Sequence, residues 1–169
     1  MSYPQETFVN TTLTPGSLVQ ARREAVSANT VLYQLDVLKK TGRYSCFNLE
    51  WQPVYSEAPE VWPVPKHLFW DSDVAKWIEG ACYVLQEHQN PKIDSAIHEL
   101  VSLIRSAQQP DGYLNLHYTV VEPGRRWTNL RDMHELYNAG RSGSVWYGFL
   151  TCFRPHDRGS TCAPAPLPG

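Results

Sequence analysis

Asp71-Ser-Asp-Val-Ala-Lys-Trp-Ile-Glu-Gly-Ala-Cys-Tyr-Val-Leu85 and, after a short break, Asn90-Pro-Lys-Ile-Asp-Ser-Ala-Ile-His-Glu-Leu-Val-Ser-Leu-Ile104 decide the fold class. In the first run Val74, Trp77, Ile78, Ala81, Cys82 and Leu85 recur at helical spacing, which makes a wide apolar stripe on one side of a helix. Asp71 and Asp73 place acidic groups at the positive end of that helix, where capping accounts for them. In the second run Asn90 is a cap and Pro91 takes the first helical position. Ile93, Ile97, Leu100, Val101 and Ile104 form its buried face. Two amphipathic helices so closely joined make a helical hairpin, and the fold is expected to be mainly α.

Upstream, Thr14-Pro-Gly16 is a turn signal that closes an N-terminal segment, 1–16, with little periodicity. Ser17 can cap a helix running to about Lys40, with Leu18, Ala21, Ala25, Ala28, Leu32 and Leu35 as its stripe. Lys39-Lys40-Thr-Gly42 supplies a cationic last turn and a glycine stop. Between Tyr44 and Leu68 stand Pro53, Pro59, Pro63 and Pro65 with Trp51, Tyr55 and Trp62. That is an ordered loop of the kind that lines a site mouth, since a flexible linker is poor in aromatics.

Downstream, Pro110-Asp-Gly112 is a turn built from a fixed φ, a side-chain-bonding Asp and a glycine free to take positive φ. Tyr113 to Val121 is β-branched and apolar enough for a short extended segment. Arg126-Trp-Thr-Asn-Leu-Arg-Asp-Met-His-Glu-Leu-Tyr-Asn-Ala-Gly140 then concentrates the polar chemistry of the chain. From Asn129 it reads as a helix with Leu130, Met133, Leu136 and Tyr137 on one side. Asp132 and Glu135 can be neighbours on it, and His134 can lie near Arg131 or Asn138. After Gly140 the helical period is lost, and Pro155, Pro164, Pro166 and Pro168 exclude regular structure near the end. Residues 141–169 are expected to be a disordered tail.

The chain has 169 residues, 42% of them hydrophobic and 19% charged, a balance that belongs to globular proteins with a core. A net charge of −2 gives no electrostatic reason to expect nucleic acid or an anionic membrane as partner. The first residues lack the basic start and apolar run of a signal peptide, so the match of Asn10-Thr-Thr12 to a glycosylation acceptor carries little. Cys46, Cys82, Cys152 and Cys162 show neither C-x-x-C nor zinc-finger spacing, and Cys82 falls on an apolar face as a small core residue. A reducing, cytoplasmic setting is expected.

Three motifs carry a resemblance. Phe69-Trp-Asp-Ser-Asp-Val-Ala-Lys-Trp77, Ala107-Gln-Gln-Pro-Asp-Gly-Tyr-Leu-Asn115 and Arg126-Trp-Thr-Asn-Leu-Arg-Asp-Met-His-Glu-Leu-Tyr137 resemble, in order and register, the N-terminal part of the catalytic domain of glycoside hydrolase family 127, the β-L-arabinofuranosidase-like family. The resemblance implies a partial (α/α)6 barrel over residues 17–140 and a carbohydrate substrate. It also implies retaining hydrolysis of terminal β-L-arabinofuranosyl groups, with a zinc-bound cysteine thiolate as nucleophile and a glutamic acid as acid/base. The matched motifs carry neither that nucleophile nor its acid, so no catalytic and no metal residue is assigned; zinc is expected for the full-length family. In the family the helix continues past the glycine with small and apolar residues. Here Arg141-Ser-Gly-Ser follows, so the chain is expected to be a truncated, inactive fragment. Val74, Ile97 and Leu100 would then lack partners from the rest of the barrel.

His134, in the Met-His-Glu-Leu-Tyr motif, would by the resemblance hydrogen-bond the terminal sugar; a satisfied structural histidine is the alternative. Trp127 could stack on a sugar ring or be buried at a helix entrance, and Asp73 is a candidate sugar ligand at the barrel mouth. Arg125 and Arg126 read as a solvated pair. His134-Glu135 is not a metalloprotease helix, because Asn138 stands where H-E-x-x-H needs its second histidine. An unsaturated glucuronyl hydrolase relative would fit the Asp-Gly-Tyr turn but not the Trp-Thr-Asn-Leu-Arg-Asp-Met-His run. A non-enzymatic helical carbohydrate-binding or scaffold protein is the competing class.

Overall fold

The computed structural model describes residues 11–49 and 68–152, the last of these, 144–152, by backbone alone. Among the described residues helices joined by turns and loops are the only regular structure, with no strand. It builds part of an (α/α)6 arrangement from α1 (Leu18–Ala25), α2 (Val31–Lys40), α3 (Trp70–Glu87), α4 (Pro91–Ala107) and α5 (Glu135–Cys152). None of these helices is long and apolar enough to cross a membrane.

The hairpin forms as its sequence dictates. The Asn90 side chain accepts the Lys92 and Ile93 amides at 3.1 and 3.3 Å, with Pro91 in the first turn. All five apolar positions of α4 are buried, facing Val74, Ile78 and Leu85 of α3. Val74, Ile97 and Leu100 are completely enclosed, contrary to the expectation that they lack partners. Leu35 from α2, Phe47 from a short 3-10 turn (Cys46–Asn48) and Leu116 belong to the same buried core. Cys82 lies in it as a small apolar residue. The Trp77 indole N–H donates to the Val31 carbonyl at 3.0 Å and ties α2 to α3. Tyr44 opens the loop after α2 and donates to Glu99 at 2.6 Å; the proline-rich remainder, 50–67, lies outside the described residues.

Neither acid at the start of α3 caps it. The cap position is Phe69, without a side-chain bond, and Asp71 and Asp73 lie inside the first turn. Asp71 is buried and accepts the Leu116 amide at 2.9 Å, joining α3 to the loop after α4.

The first helix starts at Ser17, whose hydroxyl accepts the Gln20 amide at 3.2 Å. Its expected stripe fails upstream of Val31, because a π turn, Val26–Thr30, joins α1 to α2. The wider winding displaces the register. Below the turn the less exposed positions are Ser17, Gln20, Arg23 and Ser27, while Leu18, Ala21, Ala25 and Ala28 face solvent. Arg23 pairs with Glu87 at the end of α3.

Two further elements depart from expectation. Residues 117–121 form a π turn, not an extended segment. Asn115 nucleates it: its side chain accepts the Tyr118 amide at 3.1 Å and its carbonyl the Thr119 hydroxyl at 2.6 Å. The helix expected from Asn129 begins only at Glu135. Trp127 and His134 both take positive φ, 66° and 49°, which no α-helix accommodates. Asn129 instead closes a local turn, accepting the Asp132 amide at 3.2 Å on its side chain and the Met133 amide at 3.1 Å on its carbonyl. Met133 is buried, but Leu130, Leu136 and Tyr137 are exposed, so no continuous stripe forms.

The stop expected at Gly140 is also absent, since α5 runs through it to Cys152. A mid-helix glycine weakens a helix by only about 1 kcal/mol, which packing readily offsets. The packing here is along α3, the most extensive helix pairing among the described residues. Residues 153–169 of the expected tail lie outside the described residues.

Candidate functional site

The loop between α4 and α5 is held in shape by its own polar groups. Asp111 accepts the Tyr113 amide at 3.1 Å and Gly112 takes φ +82°, completing the turn that Pro110-Asp-Gly112 encodes. The Tyr113 amide, with Arg126 beside it, holds the Asp111 carboxyl below the usual aspartate range. Arg126 pairs with Asp111 at 2.6 Å and lies over the Tyr113 ring at 3.8 Å, so it is not the solvated partner of Arg125 that the sequence suggested. Arg125 is the exposed one, near Glu122 at 3.8 Å.

Glu135 organises the far side of this loop. It is only 2% exposed, and its two oxygens accept the Tyr113 hydroxyl at 2.6 Å and the Trp127 amide at 2.8 Å. Burial and then the Glu135 carboxylate push the Tyr113 phenol well above its ordinary range, so it remains a donor. Trp127 meets the Tyr113 ring edge-on at 5.3 Å. These groups border a cleft of about 520 Å³, closed on its other side by Ala139, Ser142 and Gly143 of α5.

His134 and Asp73 belong to a different surface. One residue before Glu135, His134 is exposed and its ring lies 5.1 Å from Phe69, with Tyr137 edge-on to both at 6.2 Å. Asp73 accepts from Arg43 at 3.0 Å and Lys76 at 3.2 Å. The Lys76 ammonium stands 5.9 Å and the Arg141 guanidinium 5.5 Å from the Tyr137 ring centroid. Arg141, with Lys76 behind it, draws the Tyr137 phenol below its usual range. Aromatic faces and paired charges thus share one patch where α3 and α5 begin.

Of the sequence candidates, His134 is linked to Asp73 only through Tyr137 and Lys76, and Trp127 lines the cleft instead. Asp132 pairs with Arg131 at 2.8 Å, so it is not the partner of Glu135. Asn138 is fully buried and its side-chain amide donates to the Leu68 carbonyl at 2.9 Å, so it is not a partner of His134's ring; its side-chain oxygen has no hydrogen-bond partner among the described residues. Tyr113, Arg126 and Glu135 escaped the sequence reading. The polar spacing Glu135, Asn138, Ser142 at threes and fours was the available hint that this side of α5 does more than meet solvent.

The profile of the β-L-arabinofuranosidase GH127 catalytic domain matches residues 10–147. The chain belongs to this family. It is similar to the non-reducing end β-L-arabinofuranosidase of Bifidobacterium longum subsp. longum, at 40% identity over 77 residues, 43% of this chain and 12% of that protein. It also resembles the crystal structure of Ara127N-Se, a GH127 β-L-arabinofuranosidase from Geobacillus stearothermophilus T6, with a TM-score of 0.67 and 31% identity. That likeness covers 85% of this chain and 23% of the other. The chain thus spans a minor part of the length of both relatives.

Neither cysteine whose side chain is described, Cys46 or Cys82, suits the zinc thiolate expected of the full-length family. No cluster of three or more His, Cys, Asp or Glu that could hold a metal ion occurs among the described residues. Cys46 is buried, donates to the Arg43 carbonyl at 2.8 Å, and burial pushes its thiol far up, the opposite of a nucleophile's requirement. Cys82 is enclosed by the core.

Proposed function

We propose that this chain forms the part of a β-L-arabinofuranosidase catalytic domain that grips the terminal sugar. Membership of the glycoside hydrolase family supports a carbohydrate as the substrate. The observation that carries the finer reading is the placement of His134. The histidine of the family motif sits exposed in a left-handed backbone conformation, against Phe69 and Tyr137 and on the surface that holds Asp73. A furanosyl ring offers C–H faces to aromatic side chains and hydroxyls to an imidazole and a carboxylate, so this surface has the chemistry to orient one. Hydrolysis with retention through a zinc-held thiolate and a glutamic acid is the family chemistry this surface would serve. None of the described residues supplies that nucleophile, so this chain by itself is proposed to bind and not to turn over. We also infer a cytoplasmic setting, a reading supported by Cys46 and Cys82 being buried without a disulfide.

The purified chain titrated with methyl β-L-arabinofuranoside, followed by protein NMR, tests this. Binding should weaken roughly tenfold in His134→Ala, as loss of a hydrogen bond to sugar would produce. Undiminished binding in that variant removes His134 from the site. Release of arabinose by the chain alone would refute the binding-only reading. As second reading, the buried Cys46, whose thiol burial pushes far up, and the enclosed Cys82 favour a non-enzymatic helical carbohydrate-binding or scaffold protein. The two part when the complete (α/α)6 catalytic domain containing this segment is assayed on arabinofuranosyl substrates: turnover there supports the enzyme.

A further inference from the structure

Trp127 is arranged unlike a packing residue. Its backbone amide is held by a buried carboxylate, yet the residue leaves 50% of its surface exposed at the rim of the cleft. Its φ of +66° is a conformation that costs an ordinary residue roughly 1–2 kcal/mol and that glycine would adopt freely. A chain under no other demand would relieve that strain with glycine or bury the indole. Here both are refused, and the neighbours fix the ring: Tyr113 stands edge-on to it, pinned by its own bond to Glu135 and by Arg126 stacked above. Beside the indole, Gln108, Asp111, Asn115 and Arg126 line the cleft with mixed donors and acceptors. Ala139 and Gly143 add small residues to the lining.

We propose that this cleft is a second saccharide-binding surface, separate from the His134 patch, with the Trp127 indole as stacking platform and Glu135 as the positioning residue that presents it. The proposal rests on the carbohydrate reading above and extends it. The occupant is a neutral sugar: its C–H face covers the indole, and its hydroxyls find both donors and acceptors in the lining. At about 520 Å³ the cleft has the size of ordinary small-molecule sites. Glu135 bonds both the Tyr113 hydroxyl and the Trp127 amide, so losing its charge would loosen platform and support together.

The test uses the full chain, an arabinofuranosyl trisaccharide and methyl β-L-arabinofuranoside as probes, and the indole N–H signals in a nitrogen–proton correlation spectrum. Trp127→Gly assigns its signal by deletion and also relieves the backbone. The expected result has three parts. The Trp127 signal shifts as trisaccharide is added, and trisaccharide affinity falls roughly tenfold or more in Trp127→Gly while the melting temperature holds or rises. In Glu135→Gln the Trp127 signal broadens and trisaccharide affinity drops, with the monosaccharide response of the His134 surface unchanged. Trisaccharide binding that survives Trp127→Gly but is lost in His134→Ala overturns this inference and leaves the functional reading standing. A Trp127→Gly chain that no longer melts cooperatively makes the indole a packing group and overturns it too. If neither sugar binds the parent chain, the carbohydrate reading itself has failed.

Discussion

Asp71 should make the stability of this chain fall as the pH rises. Its carboxyl is enclosed where α3 begins and accepts the Leu116 amide at 2.9 Å. Burial pushes it up to about 6 from an ordinary aspartate's 3.8, against the pull of that amide and with the nearby charge of Asp73 adding to the rise. Between those two values the folded chain holds a proton that the unfolded chain has released. Stability is therefore highest below the lower value, declines through the window and levels off above the upper one. At about 1.4 kcal/mol per pH unit, the gap from 3.8 to about 6 amounts to about 3 kcal/mol. Asp71→Asn keeps an oxygen for the Leu116 amide and cannot ionise. It should therefore exceed the parent in stability by about 3 kcal/mol near pH 8, the advantage shrinking towards zero by about pH 4. Urea unfolding followed by circular dichroism across that range reads the difference directly, and histidine titrations cancel because both chains share them. A difference that does not vary with pH, or an Asn variant weaker than the parent near pH 8, would refute the assignment of a buried, proton-holding carboxyl.

Three other substitutions probe separate parts of the structure. Gly140→Ala should raise stability by about 0.5–1 kcal/mol in thermal unfolding, because the helix passes through and an added Cβ meets nothing; a loss would mean that the helix ends there. Tyr113→Phe strands one oxygen of buried Glu135 and should cost roughly 1.5–3 kcal/mol in chemical denaturation, whereas a change below about 0.5 would show the network to be slack. Asn90→Ala removes the acceptor of two amides at the start of α4 and should cost about 1 kcal/mol, and no change would deny the cap its role.

The hairpin was legible because its determinants are local. Asn90-Pro91 states where α4 begins, and the apolar positions of α3 and α4 repeat often enough to mark one face each. The Asp111-Gly112 turn was legible for the same reason. What escaped depends on partners far along the chain. Asp71 looks like a helix-start acid until Leu116, 45 residues away, supplies its amide. Glu135 looks like a solvated helix residue until Tyr113 and Trp127 close over it from 22 and 8 residues upstream. The late start of α5 follows from the left-handed conformations of Trp127 and His134, which side-chain periodicity does not register. Its passage through Gly140 follows from packing on α3, which outweighs the local preference. The motifs offered His134, Trp127 and Asp73 together as candidates, and only the tertiary structure sets Trp127 apart in the cleft.

The π turn at Val26–Thr30 makes the orientation of everything before it depend on one residue of length. Deleting one position would close the wide turn and leave α1 facing as it does, whereas winding the same residues as ordinary α-helix would rotate α1 by about 100° about its axis. Leu18, Ala21 and Ala25 would swing towards the body and Arg23 away from Glu87. No buried residue belongs to either segment, so the core would not resist. The wide turn therefore works as an index mark, setting which side of this arm meets water while every interior side chain keeps its place.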